Sequence, residues 1–199
     1  MKKLYFSLVV FLVSSLGVIA QSSWLASGVG YKTQDVFADK SFAAHDIIGD
    51  ILYAIDEDGL YGYDLITQEL TANYGTAPSS YTNQWAWPSF VTADPNGEKV
   101  WVGFTLGGLT DDRIYSVDIA SSEWTHVATF PGNFDMEIYD GNYYVSGLNT
   151  EGWDGENDVN CVSLLDLSGN NQHKKLIEIG GNSVGLAIDG QGKYIQSKI

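Results

Sequence analysis

The sequence predicts an all-β protein assembled from a repeated four-stranded unit. Three observations lead there. Beyond the first twenty residues no long stretch keeps the 3.6-residue apolar spacing of a helix. Short runs rich in Val, Ile, Tyr, Trp and Phe sit instead between clusters of Gly, Asn, Asp and Pro. The 22 glycines suit a chain with many tight turns. Finally, RIYSVDIASSEW (113–124) is echoed by LYGYDLITQEL (60–70) and VSLLDLSGNN (162–171), aligned on Asp64, Asp118 and Asp166 at a spacing of about 50 residues.

Taken in order, residues 1–20 (MKKLYFSLVVFLVSSLGVIA) open with Lys2 and Lys3, continue with an apolar run and close on Val18 and Ala20. That is the pattern of a cleaved signal peptide of bacterial type, and it predicts a secreted or cell-surface protein. The apolar run is marginal for a membrane anchor, and Gln21 rather than Cys follows the cut, so no lipoprotein anchor is indicated. Residues 21–42 form an N-terminal segment that could supply a closing strand. From 43 to 199 the strands come in fours, here labelled A to D. The first repeat reads HDIIG, ILYAI, LYGYD and QELTA. The second reads 89–93, 99–104, 113–118 and 123–130, and the third 135–139, 142–147, 160–166 and 174–179. A fourth begins at GLAID and stops inside KYIQSKI.

Four antiparallel strands at this period form the blade of a β-propeller. A single four-stranded sheet cannot bury both faces. Blades therefore stack face to face around an axis, which is why the B and C strands are apolar on both sides. A β-sandwich is the competing architecture, since short strands and regular turns suit it too. The chain supplies about three and a half blades, so the expected ring is incomplete. Closing it would need further C-terminal blades or a partner, and the open edges predict a tendency to aggregate.

VTADPNGEKVWVG (91–103), GLAIDGQGKYIQ (185–196) and RIYSVDIASSEW (113–124) resemble the repeats of NHL-type, YncE-like and SMP-30-like propellers. The shared features are a small-apolar strand ending in Asp, a Gly-containing turn, an aromatic-apolar strand B, and a strand C ending in a Val-Asp-Ile step. The resemblance runs from Ile47 to the C-terminus and implies a fold; it carries no activity. SMP-30-like lactonases take calcium ligands from several blades, and no position here matches them.

The formal charge of −15 repels nucleic acid and anionic lipid, so neither is an expected partner, and no membrane insertion is expected after signal cleavage. Cys161 is the only cysteine, so there is no internal disulfide, and it opens an apolar strand as a small hydrophobe. Gly181 to Gly185 matches G-x-S-x-G, yet a strand rather than a helix follows Ser183, so no nucleophile elbow is expected. His45, His126 and His173 lie in different repeats, without metal-ligand spacing.

Because strands alternate in direction, A–B and C–D turns share one face of the disc and B–C and D–A connections share the other. The long connections (73–88, 105–112, 148–159) all fall on the second face, which is therefore the candidate working face. It carries Tyr81, Trp85 and Trp87, Asp111 and Asp112, and Trp153. Aromatic rings beside carboxylates suit a sugar surface, where rings stack on C–H faces and polar groups bond hydroxyls. The alternative is that the tryptophans are packed over a blade junction. Asp154, Glu156 and Asp158 alternate as hard oxygen ligands and are candidates for calcium, the one cofactor considered. They do not make an EF-hand, and a solvated acidic loop is the other reading. The sequence thus favours an extracellular binding module for a glycan, protein or other ligand. A calcium-dependent hydrolase or lactonase and a purely structural propeller are the alternatives.

Overall fold

The computed structural model describes residues 41–78, 86–106, 112–148, 161–166, 173–178, 183–189 and 191–198. The expected signal peptide, residues 21–40, and the candidate residues Tyr81, Trp85, Asp111, Trp153, Asp154, Glu156 and Asp158 lie outside them.

The described chain is all β. Blade 1 is β1 (Ala44–Ile48), β2 (Ile51–Asp56), β3 (Gly59–Asp64) and β4 (Leu70–Gly75). Blade 2 is β5 (Trp87–Ala93), β6 (Lys99–Thr105), β7 (Arg113–Asp118) and β8 (Trp124–Thr129). Blade 3 is β9 (Asp135–Tyr139), β10 (Asn142–Gly147), β11 (Cys161–Leu165) and β12 (His173–Glu178), and β13 (Ser183–Ile188) pairs with β14 (Tyr194–Lys198) in blade 4. Each sheet follows chain order and every pairing is antiparallel. The A strands β1, β5, β9 and β13 lie successively against one another and line the axis.

Alternation on β6 shows how blades stack. Val100, Val102 and Phe104 face blade 1 and join Tyr53, Ile55, Leu60 and Tyr74 in one core. Trp101 points the other way, into a core with Met136, Val145 and Leu165 of blade 3. Its ring meets Tyr143 edge-on at 4.9 Å between centroids. A strand with period two that serves two cores must be apolar on both faces. Each fully buried Val or Ile adds about 1.5–3 kcal/mol relative to an exposed one. Gly103 lies on the blade 3 side because a Cβ there would strike the Phe90 ring and Asn133 Oδ1.

The repeated aspartates build turns. Asp64 Oδ1 accepts the Ile66 and Thr67 N–H groups, both at 2.8 Å, and Asp118 Oδ1 accepts the N–H and hydroxyl of Ser121. These bonds hold both carboxyls below their ordinary range. Gln68 and Ser122 close the two turns at positive φ (64° and 59°), each donating its N–H to the carbonyl of the same aspartate. Asp94 and Asp189 do similar work in the A–B turns, accepting the N–H groups of Asn96 and Gln191.

Several boundaries differ from the sequence reading. Trp87 and Pro88 belong to β5 rather than to the D–A connection, and Tyr74 lies in β4, buried against Tyr53. His173 and Ser183, which precede the expected strands at 174–179 and GLAID, open β12 and β13. The ladder hydrogen bonds to their partner strands take these residues in.

Candidate loop face and axial acids

The loop face is knitted from beneath by two buried polar side chains. Asp112 is 0% exposed. Its Oδ1 accepts the Leu106 N–H, and its Oδ2 accepts both the Thr105 hydroxyl and the Gly132 N–H, all at 2.7 Å. Asn133 donates to the carbonyls of Phe104 and Phe130 and accepts the Ser89 hydroxyl at 2.7 Å. The sequence reading put Asp112 among the displayed ligand residues. In the structure its oxygens tie the ends of β6 and β7 to the chain that leads into blade 3. Trp87 is different. It stands at the loop-face end of β5, directly opposite Thr105, and is 52% exposed.

The axis carries a feature the sequence reading missed. Asp94 N–H donates to the Lys99 carbonyl, so that pair carries a ladder bond and the adjacent pair, Ala93 with Val100, does not. The Ala93 N–H therefore points away from β6, and Asp46 Oδ2 of blade 1 accepts it at 2.8 Å. The same parity applies in blade 4, where Asp189 N–H donates to the Lys193 carbonyl. Leu186 N–H then points away from β14 and is accepted by Asp135 Oδ2 of blade 3 at 2.7 Å. Between blades 2 and 3 the Thr92 hydroxyl donates to the Met136 carbonyl at 2.7 Å. Each innermost strand would otherwise leave backbone groups unpaired along its free edge.

Glu137 follows two residues after Asp135, on the same face of β9. It is half-buried and has no hydrogen-bond partner among the described residues. Burial, then the charges of Asp135 and Asp46, push its carboxyl up to about 7. Burial also pushes Asp135 up to about 6, against the pull of the Leu186 and Met136 N–H groups, with Asp46 adding to the rise. The acids within these short inner strands, Asp46 in HDIIG and Asp135 and Glu137 in DMEIY, were the available signal. Among the described residues no group of three His, Cys, Asp or Glu side chains is placed to hold a metal ion. Cys161 is buried, its thiol donating to the Leu148 carbonyl at 3.1 Å. His126 is in the outer strand β8 beside Tyr115, as the sequence suggested.

Four-stranded sheets in chain order, cores shared between neighbouring sheets and innermost strands side by side define a β-propeller, here a partial one. No protein-family model matches the chain, and no curated protein sequence matches it significantly. Among solved structures it is similar to TolB from Acinetobacter baumannii, at 15% identity and a TM-score of 0.52, over 74% of this chain and 34% of that one. It is also similar to the tricorn protease, at 13% identity and a TM-score of 0.53, over 76% of this chain and 14% of that one. A putative 6-phosphogluconolactonase from Bacteroides uniformis aligns at 13% identity and a TM-score of 0.51, over 79% of this chain and 47% of that one. The chain thus spans less than half the length of each, and at such identities the likeness shows the fold alone.

Proposed function

We propose that the chain is part of a secreted or cell-surface propeller that binds an extracellular ligand, a glycan before a protein, on the face formed by its B–C and D–A connections. The observation that carries this reading is Trp87. A large aromatic ring left half exposed at the rim of a tightly packed strand is a ready stacking platform. The opposite face offers less, because its turns are closed on themselves by Asp64, Asp94, Asp118 and Asp189. The signal-like residues 1–20 support export, the acidic composition supports an extracellular setting without nucleic acid, and the repeat motifs support kinship with NHL-type, YncE-like or SMP-30-like propellers.

The test is a panel of immobilised polysaccharides, including laminarin, xylan and mannan, probed with wild type and Trp87→Ala. Loss of one stacking ring, worth about 1–1.5 kcal/mol, weakens binding roughly tenfold. The melting temperature should barely move, since Trp87 is not part of either core. Binding that is unchanged in Trp87→Ala removes the proposal. A second reading, a calcium-dependent hydrolase or lactonase, has less support: Asp46 from blade 1 and Asp135 and Glu137 from blade 3 bring acids near the axis, but among the described residues no three are placed to hold a metal ion. Hydrolysis of a lactone by wild type, lost on chelation, would favour it.

A further inference from the structure

We infer that Asp135 and Glu137 form a proton-binding site at the junction of blades 3 and 4, so that the junction is tightest when the pair holds a proton and loosens as it ionises. The geometry is that of two carboxyls two residues apart on one face of β9, with Asp46 of β1 near enough to add its charge to both. Asp135 is also the acceptor that fastens β13 to blade 3, through the Leu186 N–H. Charge developing on this pair therefore develops at the inter-blade contact itself.

Among the described residues the strands packed against the pair offer no compensating cation. Across the β9–β10 ladder, Asp135 stands opposite Ser146 and Glu137 opposite Tyr144, so these side chains share their face. Ser146 is fully buried and its hydroxyl has no hydrogen-bond partner among the described residues. Tyr139 is the remaining titratable group on that face of β9. Strand β13 (SVGLAI) carries no titratable residue, nor does β5 (WPSFVTA), and β1 contributes Asp46, with His45 on its other side. No Lys or Arg occurs in β1, β5, β9, β10 or β13. Two anions in this half-buried setting repel each other without relief, and one bound proton removes that repulsion.

The sign follows from linkage. Unfolded, both carboxyls ionise near pH 4; folded, they hold protons until about pH 6 for Asp135 and about pH 7 for Glu137. The stabilisation is complete below the unfolded values, is lost as pH rises to the folded ones, and is absent above them.

Three measurements on the full chain test the site. Carboxyl-carbon NMR should show Glu137 titrating well above the ordinary glutamate range. Melting curves from about pH 5 to about pH 8 should fall by several degrees in wild type, with most of that fall gone in Glu137→Gln and kept in the exposed control Glu123→Gln. Amide exchange at Leu186, corrected for intrinsic base catalysis, should accelerate above neutral pH in wild type but not in Glu137→Gln. Asp135 and Glu137 both titrating below pH 5, or a Glu137→Gln melting profile parallel to wild type, would overturn the inference. So would Leu186 protection that ignores pH, because the acids would then not govern the junction.

Discussion

Asp112 and Trp87 show how far one residue's role can be read without its neighbours. Both sit beside long polar connections and both look like surface residues in the sequence. Trp87 is exposed, whereas Asp112 is sealed beneath the loop face by donors at Thr105, Leu106 and Gly132. Two of those donors are on the preceding strand end and one is beyond the next two strands, so no local pattern announces them. Asp112→Ala would leave three donors without their acceptor. At about 1–3 kcal/mol for each buried orphan, the loss should be roughly 3 kcal/mol or more, seen as a lower urea midpoint. Asp112→Asn keeps one oxygen acceptor and should lose less.

At the scale of elements, strands were the legible part. The reading of 113–118, 135–139 and 142–147 coincides with β7, β9 and β10, because alternation, aromatic content and flanking turn residues all agree there. The misreadings, Trp87 to Pro88 and His173, fall at strand ends, where the ladder and not the local composition decides. The aspartates ending β3 and β7 were legible as a repeat and turn out to be turn acceptors. Their carboxyls are held below the ordinary value, so their contribution is present above about pH 4 and is lost as pH falls further, opposite in sign to that of Asp135 and Glu137. A double variant, Asp64→Asn with Asp118→Asn, should therefore flatten the acid limb of the melting profile and leave the neutral limb unchanged. Packing sets a second test: Gly103→Ala forces a methyl against Phe90 and Asn133 and should cost roughly 1–3 kcal/mol by equilibrium unfolding.

For the whole molecule, period and strand count pointed to a propeller, and the described blades are one. The contacts that join blades were not legible. Asp46 reaches Ala93 and Asp135 reaches Leu186, partners far apart in sequence that meet only because successive inner strands are adjacent. The division into two faces followed from strand alternation alone and is the part on which the proposed function stands. Its most direct test is a footprint: hydrogen exchange of the full chain, free and saturated with whichever polysaccharide the panel retains. Protection confined to Trp87, Thr105–Leu106 and Gly132–Phe134, with the turns at 94–98, 118–123 and 189–193 unchanged, is the predicted result. Protection of those turns with the first set unchanged would contradict the account, because the ligand would then sit on the face whose turns are already closed.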